Sequence, residues 1–310
     1  MKRVLVTGGA GFLGSHVVDR LNVRGYDVVV PRSVDYDLRQ QGTAMRMIEG
    51  HNPEVIINAA ATCAGIGAIQ REPGTFFYDN LMIGINMMES ARVFGTKKFV
   101  QVGTVCSYPK HCPVPFKEED LWTGRPEETN EPYGVAKKAL LTMAQAYRAQ
   151  YNFNAIYLIP TNIYGPRDNF DPATSHIIPA LIRKFIAGRN TGAEYITVWG
   201  DGTPSRDFLY VEDAATAIVS AMETYDGGDP INVGSGHEII VRDLVYHLKR
   251  VTGFRGDIYF DYNKPNGQPR RRLDVSRAKE LFGFQANVSL DTGLLKTVQW
   301  YLENMHDINR

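Results

Sequence analysis

The sequence predicts an α/β protein with a doubly wound parallel sheet and a second, smaller α/β domain. Three observations support this fold class. A glycine-rich turn directly follows the first apolar segment, short β-branched segments alternate with helical patterns in the first half of the chain, and a loop rich in proline, glycine and asparagine begins near residue 165. Such alternation is typical of βαβ units, in which helices cover both faces of a parallel sheet.

The strand candidates are short and rich in valine and isoleucine, as buried parallel strands usually are. They occupy residues 4–6, 28–30, 55–57, 99–102 and 155–159. Helical patterns of apolar residues recur between and after them. These occupy residues 13–24, 79–94, 133–150, 176–188, 213–224, 242–252 and 290–304. We expect residues 1–165 and parts of 207–236 to form the larger domain, and residues 166–206 and 237–310 to form the smaller one.

The composition excludes some classes of function. The chain has 310 residues, enough for two regions that each bury a core. Its 34 lysines and arginines balance 34 aspartates and glutamates, so the formal net charge is zero. That balance argues against partners such as nucleic acids and acidic membrane surfaces, which favour basic proteins. No apolar stretch is long enough to cross a bilayer.

The cysteines indicate a reducing compartment. Cys63, Cys106 and Cys112 are too few and too scattered for a disulfide framework in a chain of this length. No cluster of cysteine and histidine has the spacing of a zinc site. We therefore expect a cytoplasmic protein without a metal.

The glycine turn predicts a dinucleotide site of the Rossmann type. Gly8, Gly11 and Gly14 are spaced three apart after the first strand. Glycine is required where the backbone turns with positive φ or approaches a ligand closely. The helix that begins near Phe12 and Leu13 would aim its free amides at the phosphates. The same three glycines are also compatible with a plain strand–helix turn, although the following βαβ pattern favours the cofactor site.

The end of the second strand predicts the cofactor. Sites specific for NAD usually carry an acidic residue there, which binds the ribose 2′-hydroxyl. In this chain Arg32 comes first and the first carboxylate, Asp35, follows late. This order predicts NADP(H), with Arg32 on the 2′-phosphate, although a solvated arginine in a loop would look the same. The adenine edge and the floor of the pyrophosphate site are expected to include Asp37, Leu38, Ala59 and Ala60.

Tyr133 and Lys137 form a candidate proton-transfer pair. They lie four residues apart on a predicted helix, so both side chains share one face. A tyrosine has a pKa near 10, and a nearby cation would favour its phenolate. Thr104, which follows the fourth predicted strand, adds a hydroxyl for a carbonyl oxygen. A Tyr-x-x-x-Lys pair also occurs by chance, but its position after the glycine turn favours a nicotinamide-dependent enzyme that acts on a carbonyl or an alcohol.

At this point the chain resembles the extended short-chain dehydrogenase/reductase family, and within it the GDP-L-fucose synthases. The resemblance covers essentially the whole chain and rests on segments far more specific than the glycine turn. These are residues 106–110, 128–133, 160–166, 168–170, 175–180, 198–204 and 264–270. The resemblance implies an NADPH-dependent enzyme that inverts C3 and C5 of GDP-4-keto-6-deoxy-mannose and reduces its 4-keto group to form GDP-L-fucose.

The resemblance also implies the roles of the site residues. It gives Cys106 the role of base and His176 that of acid in the two inversions. Tyr133, Lys137 and Thr104 would stabilise the enolate and protonate O4. Asn162, Lys137 and His176 are also expected at the cofactor. Without the resemblance, Cys106 would be interpreted as a small buried apolar residue and His176 as a helix-start residue.

The resemblance also implies where the nucleotide end of the substrate binds, at several basic residues and one tryptophan. The candidates are Arg183 or Lys184, Trp199, Arg206 and Arg271. Arginine suits a diphosphate because its guanidinium binds two oxygens at once. Two runs depart from the family. The family commonly has two serines before the cysteine, where this chain has Thr104-Val105, and an Ala-Lys-Val-Gly-Gly-like segment after the third strand, which in this chain is residues 61–67. The lysine missing at Thr62 lies near the expected position of the substrate, so this departure bears on which sugar is bound.

Several alternatives remain open at this stage. The substrate could be a related GDP-sugar such as a keto-heptose, or the chain could be a redox-neutral epimerase with bound NAD. A non-catalytic NADP-binding sensor would not need the five candidate catalytic side chains. The family pairs through the helices near 79–94 and 133–150, so a homodimer is expected. The apolar residues proposed for its surface are Leu81, Ile85, Met88, Leu140, Leu141 and Ala144.

Overall fold

The structure, a computed structural model, describes residues 2–308. Its strands are β1 (Arg3–Thr7), β2 (Asp27–Val29), β3 (Val55–Asn58), β4 (Lys98–Val102), β5 (Ala155–Pro160), β6 (Asn162–Tyr164), β7 (Tyr195–Trp199), β8 (Ser205–Arg206), β9 (Phe208–Tyr210), β10 (Ile231–Val233), β11 (Ile239–Ile240) and β12 (Asp257–Asp261). Its α-helices are α1 (Phe12–Val23), α2 (Gln41–His51), α3 (Ile66–Arg71), α4 (Pro73–Val93), α5 (Glu131–Tyr151), α6 (Ile177–Thr191), α7 (Val211–Thr224), α8 (Val241–Thr252), α9 (Ser276–Phe282) and α10 (Leu290–Ile308).

Six strands form one parallel sheet in the order β10-β5-β4-β3-β1-β2. The chain enters at β1, places β2 at one edge, and then continues on the other side of β1 through β3, β4 and β5. The direction of winding therefore reverses beside β1, and in such sheets ligands bind at the carboxyl ends of the strands at this reversal. The predicted fold class is confirmed, and each of the five predicted strands overlaps a strand of this sheet.

Helices cover both faces of the sheet. On one face, Val17 of α1 and Ile218 of α7 belong to the same buried cluster as the strands. On the other face, the cluster includes Met47 of α2, Met87 of α4 and Ala144 of α5. Because both faces are covered, the strands are apolar throughout rather than alternating.

The later elements pack around another apolar core. Helices α6, α8 and α10 contribute Phe185, Leu248 and Leu294, which are all buried. Strand β7 adds Ile196 and Val198 to this core and pairs in parallel with β12. β6 pairs in parallel with β9, and β8 pairs antiparallel with β11. β10 instead returns to the edge of the large sheet.

The sequence pattern does not predict α2, α3 and α9. α2 has Ala44, Met47 and Ile48 buried at helical spacing, but Gly42 and Gly50 weaken its helical composition. α3 and α9 have six and seven residues, too few for a periodic pattern. Within residues 2–308, no helix combines the length and the apolar character that crossing a bilayer requires.

Most residues proposed for the dimer surface lie inside the chain instead. Met88, Leu140, Leu141 and Ala144 are buried in the apolar clusters that α4 and α5 share with the sheet. Leu81 and Ile85 are partly buried against one of the same clusters. The two helices approach closely at Gly84, where a Cβ would lie 2.1 Å from Leu140 Cδ1. The apolar pattern of α4 and α5 therefore reflects their packing on each other and on the sheet.

Candidate active site

The turn between β1 and α1 leaves no room for a side chain at Gly8 or at Gly14. Gly8 has a φ of +68°, and a Cβ there would lie 2.9 Å from the backbone nitrogen of Ala60. A Cβ on Gly14 would lie 2.1 Å from the carbonyl oxygen of Gly8. α1 begins after Gly11 without a side-chain cap, so its first-turn amides remain free to donate. The turn therefore forms an anion site made of backbone.

A row of buried polar side chains joins three strand ends beneath this turn. Thr7 Oγ1 donates to Asn58 Oδ1 at 2.6 Å, and Asn58 Nδ2 donates to Gln101 Oε1 at 2.9 Å. The three residues are neighbours in register on β1, β3 and β4. Thr7 Oγ1 also accepts from the Ala60 amide at 3.2 Å. The loop after β3 is thus held under the glycine turn.

The two arginines in the loop after β2 differ in whether a carboxylate neutralises their charge. Arg32 is exposed and forms no ion pair with the residues that the structure describes. Arg39 Nε donates to Asp37 Oδ1 at 2.8 Å, and this bond lowers the pKa of the Asp37 carboxyl. The carbonyl of Leu38 accepts from Asn86 Nδ2 at 3.0 Å, which ties this loop to α4. Arg32 is consequently an uncompensated cation at this edge.

A glycine between Tyr133 and Lys137 lets α5 approach the turn that follows β4. A Cβ on Gly134 would lie 2.3 Å from the carbonyl oxygen of Cys106. Ser107 Oγ donates to the Gly134 carbonyl at 3.0 Å and fixes this approach. The first turn of α5 therefore lies directly against the turn that carries Cys106. This contact brings Cys106 close to the helix that carries Tyr133 and Lys137, although the sequence pattern does not link them.

Lys137 and Tyr133 are both buried, and burial has opposite effects on their pKa values. Lys137 Nζ donates to the Val102 carbonyl at 3.3 Å, and burial lowers the pKa of the ammonium to about 8. Burial raises the pKa of the Tyr133 hydroxyl well above its usual value, and the Cys63 and Cys106 thiols act in the same direction. Lys137 Nζ lies 6.0 Å from the Tyr133 ring centroid. Burial therefore opposes the phenolate that the Lys137 charge was expected to favour.

Thr104 and Cys106 share one short turn after β4. Thr104 Oγ1 accepts from the Cys106 amide at 3.2 Å, so the threonine side chain caps this turn. A hydrogen bond from the Thr104 hydroxyl to the Tyr133 oxygen partly offsets the rise in the pKa of Tyr133. Cys106 packs against the apolar cluster that contains Tyr133, and its Sγ lies 3.8 Å from Asn130 Oδ1. Both side chains therefore border the Tyr133 hydroxyl.

A second thiol, absent from the predicted site, meets His176. The Sγ of Cys63 lies 3.6 Å from Nε2 of His176, although 113 residues separate them. The contact depends on Gly65, whose amide donates to the Thr174 carbonyl at 2.8 Å and whose Cβ, if present, would lie 2.5 Å from the Ser175 carbonyl oxygen. The signal in the sequence was the departure of residues 61–67 from the family's run. It was attributed to the lysine missing at Thr62, and it pointed to the substrate but not to Cys63 or His176.

His176 immediately precedes α6, and its side chain is exposed. Desolvation by the surrounding protein lowers the pKa of the imidazole, Asp168 raises it, and Arg271 lowers it. Asp168 is buried, and its Oδ2 has no hydrogen-bond partner among the described residues. Burial raises the pKa of the Asp168 carboxyl to about 7. Asp168 was missed as a neighbour of His176, because the sequence shows only its place in the 168–170 segment.

A family model described as NAD dependent epimerase/dehydratase family matches residues 4–234, which include the glycine turn and the Tyr133 and Lys137 pair. The chain belongs to this epimerase/dehydratase family.

Individual members of the epimerase/dehydratase family match over nearly the full length. A GDP-L-fucose synthase of Sinorhizobium fredii is 40% identical over 306 residues, covering 99% of this chain and 97% of the relative. A C. jejuni structure described as a GDP-6-OMe-4-keto-L-xylo-heptose reductase has a TM-score of 0.93 at 26% identity, covering 98% of each chain. A GDP-L-fucose synthetase from Naegleria fowleri bound to NADP has a TM-score of 0.88 at 28% identity, covering 98% of this chain and 95% of that one.

Two arginines, Arg206 within the family match and Arg271 after it, are buried. Arg206 donates to the carbonyls of Ser205, Asn266 and Gln268 at 2.6–3.0 Å. Arg271 donates to Gln268 Oε1 and to Asn162 Oδ1, both at 3.1 Å. Neither forms an ion pair with a described residue, and burial followed by the charge of Arg271 lowers the pKa of Arg206. Two buried cations without a carboxylate partner are chemically suited to an anionic ligand.

The remaining candidates for the nucleotide lie at the rim of the same cleft or on α6. Trp199 is 48% exposed, and a Cβ on Gly67 would lie 3.3 Å from its ring. Lys264 Nζ lies 5.1 Å from the centroid of that ring. Arg183 donates to the Phe170 carbonyl at 3.0 Å, and Lys184 donates to the Thr197 carbonyl at 3.1 Å. The two α6 cations are therefore engaged with backbone, whereas Trp199 presents an open face.

Proposed function

We propose that this chain uses NADPH to invert C3 and C5 of GDP-4-keto-6-deoxy-mannose and to reduce C4, forming GDP-L-fucose. The observation that supports this most directly is the convergence of Cys106, Tyr133 and His176 on one cleft. Together they offer two proton-transfer groups for carbon and one for oxygen. Relatives named GDP-L-fucose synthase that match over 97–99% of this chain agree with this reading.

The keto group explains why these side chains are needed. A ketone at C4 acidifies the protons on C3 and C5, so a base can remove each one and leave an enolate. In the proposed reaction Cys106 Sγ takes the carbon-bound proton and His176 returns one to the opposite face. The hydroxyls of Tyr133 and Thr104 donate to O4, where the negative charge develops. Tyr133 suits this role because its raised pKa keeps it protonated.

The residues of the large sheet fit an NADP(H) cofactor. The diphosphate would bind the free amides at Phe12 and Leu13, over the turn that requires glycine at Gly8 and Gly14. Arg32, the uncompensated cation after β2, would bind the 2′-phosphate. The adenosine half would be bordered by Asp37, Leu38, Ala59 and Ala60, and the nicotinamide half by Lys137, Asn162 and His176. When bound, NADPH would supply the hydride for C4.

The buried arginines support a nucleoside diphosphate at the other end. Arg206 and Arg271 are desolvated in the free protein without an anionic partner among the described residues. A diphosphate would compensate both charges. Trp199 offers a flat apolar face at the cleft rim for the base. Arg183 and Lys184 are weaker candidates, since Arg183 is only half-buried and Lys184 is exposed, so neither charge needs an anion to compensate its burial.

One experiment tests this function. The chain is incubated in D₂O with GDP-4-keto-6-deoxy-mannose and NADPH, cofactor oxidation is followed, and the product is identified by NMR. We expect stoichiometric NADPH oxidation and GDP-L-fucose with deuterium at C3 and C5. Reduction without deuterium uptake would make the protein a plain 4-reductase. Turnover without net NADPH oxidation would make it a redox-neutral epimerase, and cofactor binding without turnover of any GDP-keto-sugar would favour the sensor.

A GDP-keto-heptose is the second candidate substrate. The C. jejuni heptose reductase has the TM-score of 0.93 given above, and Thr62 replaces the lysine that the GDP-L-fucose synthases carry near the sugar. Thr62 Oγ1 donates to Asp79 Oδ2 at 3.0 Å, so it is held by α4. A parallel incubation with a GDP-4-keto-heptose would decide between the two, because the true substrate should have the higher kcat/KM.

We also propose a homodimer in the cytoplasm. The three cysteines are unpaired, which suits a reducing compartment. A dimer through α4 and α5 would have to use their exposed residues, such as Tyr78, Val135 and Tyr151. Light scattering at micromolar concentration should give twice the chain mass, and a monomer would exclude the dimer.

A further inference from the structure

A row of four proton-carrying side chains lines the cleft. Cys106 packs against the cluster that contains Tyr133. The Tyr133 hydroxyl is within hydrogen-bonding reach of Cys63, whose Sγ lies 3.6 Å from His176 Nε2. Cys63 is open to the cleft rather than packed in a core. The row therefore connects the group proposed as base with the group proposed as acid, and Cys63 is the member to which no role has been given.

Two successive inversions create a need for such a connection. After the first inversion, Cys106 holds the proton it removed, and His176 has lost the proton it delivered. The second inversion requires both to be reset. A sugar nucleotide in the cleft would cover the exposed side chain of His176 and exclude the water that reaches it in the free protein. A neighbouring side chain would then have to return the proton.

Building on the proposed function, we propose that Cys63 is a proton-relay residue that acts through His176 and resets the site between the two inversions. The Cys63 S–H bond breaks as its proton passes to Nε2 of His176. The resulting Cys63 thiolate takes the proton of the Tyr133 hydroxyl, and Tyr133 takes the proton of the Cys106 thiol. Cys106 is then a thiolate and His176 is protonated again, with no net gain or loss of protons.

Other groups near His176 fit this role less well. Asp168 influences the imidazole through its charge, but the hydrogen bonds of the described residues do not link the two side chains. Arg271 is held by Gln268 and Asn162 and carries no transferable proton at neutral pH. Burial raises the pKa of the Cys63 thiol and the charge of Lys137 opposes this rise, but Lys137 Nζ donates to the Val102 carbonyl. Cys63 alone among these groups contacts Nε2.

Replacing Cys63 should separate the two inversions. Cys63→Val removes the transferable proton and introduces the residue typical of the family run, with little change in volume. We expect a product reduced at C4 but inverted at only one centre, with the ratio of singly to doubly inverted product raised roughly tenfold or more, since proton transfer by a positioned group contributes about 10²–10⁴-fold. Cys63→Ser keeps a hydroxyl and should restore most of the double inversion. Cys112→Ser, which removes a thiol in another cluster, should match the wild type.

Two results would overturn the relay in this assay. One is a wild-type product ratio in Cys63→Val, and the other is an equal loss of single and double inversion, which would indicate a general role in binding. If the wild-type protein does not invert this sugar at all, the proposed function fails instead. The two failures are therefore distinguishable.

The contact itself is tested without substrate or cofactor. Iodoacetamide alkylation of Cys63 is measured by peptide mass spectrometry across a pH series, in the wild type and in His176→Asn. If His176 accepts the Cys63 proton, alkylation at neutral pH should be faster in the wild type, because the thiolate is the reacting form. Cys112 in the same samples controls for the reagent. Identical pH profiles for Cys63 in both proteins would show that no proton passes between the two side chains, and the relay would fall.

Discussion

The two ends of the proposed site are built in different ways. At the cofactor end, the turn from Gly8 to Gly14 is one contiguous run, and its properties come from backbone amides and close approaches. At the catalytic end, Cys63, Cys106 and His176 come from three separate loops, and their properties come from side-chain protons. The first end is therefore set by local conformation and the second by tertiary contact.

The two ends also differ in their electrostatics. The glycine turn offers partial charges that do not titrate, so its affinity for phosphate should vary little with pH. In the cleft, burial shifts the pKa of Lys137 down to about 8 and that of Asp168 up to about 7. Chemistry in the cleft should consequently depend on pH, whereas diphosphate binding should not. The predictions below test this division.

The largest effect is expected at Tyr133. Tyr133→Phe removes only the phenolic proton, and general acid catalysis is typically worth ~10²–10⁴-fold, so the rate of NADPH oxidation should fall by that factor. Fluorescence titration should show unchanged NADPH binding, because the glycine turn is untouched. Tyr151→Phe, at an exposed position on the same helix, is the matched control. Near-normal turnover in Tyr133→Phe would mean that another group protonates O4.

A comparable loss confined to inversion is expected at Cys106. Cys106→Ser replaces the thiol with a far weaker base and should slow deuterium uptake at C3 and C5 by ~10²–10⁴-fold. Hydride transfer to the unepimerised ketone should continue, because Tyr133 remains, and NMR should show a 6-deoxy sugar of unchanged configuration. His176→Asn should allow proton removal but impair delivery. Inversion of both centres by Cys106→Ser at the wild-type rate would assign the base elsewhere, with Cys63 as the first candidate.

An intermediate effect is expected at Arg32. Arg32→Ala should weaken NADPH binding by roughly tenfold to a hundredfold and NADH binding much less, since a hydrogen bond to a charged group contributes about 1.5–3 kcal/mol. Arg39→Ala is the control on the same loop, because Asp37 already compensates that charge. Calorimetric titration with both cofactors measures the difference. Equal losses for NADPH and NADH would show that Arg32 does not contact the 2′-phosphate.

A smaller effect on stability is expected at the glycine turn. A Cβ on Gly14 would meet the Gly8 carbonyl at 2.1 Å. Gly14→Ala should therefore destabilise the fold by about 1–3 kcal/mol, as overpacking usually does, and weaken both cofactors alike. Gly50→Ala, where no atom lies within 4 Å of the added Cβ, is the control. Urea unfolding compares the two, and an unchanged midpoint for Gly14→Ala would mean that the turn adjusts without cost.

The smallest effect is the pH dependence that Lys137 should give to reduction. Burial lowers its pKa to about 8, so the ammonium is present below that pH and is lost as the pH rises through it. The rate of reduction should fall over the same interval, while diphosphate binding, followed with ADP-ribose, should stay constant. Lys137→Met should be slower at every pH and should lose this limb of the profile. A profile that is unchanged in Lys137→Met would assign the limb to another group.

Residues with a local signal were well predicted from the sequence. The five sheet strands and most of the long helices follow from runs of β-branched residues and from helical periodicity. α2 was missed because Gly42 and Gly50 interrupt its composition, although Ala44, Met47 and Ile48 are buried at the right spacing. The dimer surface was misplaced for the opposite reason. An apolar stripe on a helix is the same whether it faces a sheet or a partner, and here Leu140 and Leu141 face inward.

The sequence by itself determined the fold class, the glycine turn and the Tyr133–Lys137 pair, because each depends on residues close together in the chain. The tertiary structure decided which side chains share a cleft and how burial changes their pKa values. Cys63 meets His176 only because Gly65 lets two distant loops touch. Burial raises the pKa of Tyr133, and the neighbouring Cys63 and Cys106 thiols act in the same direction. Proximity and desolvation arise between segments distant in the chain, so no local pattern encodes them.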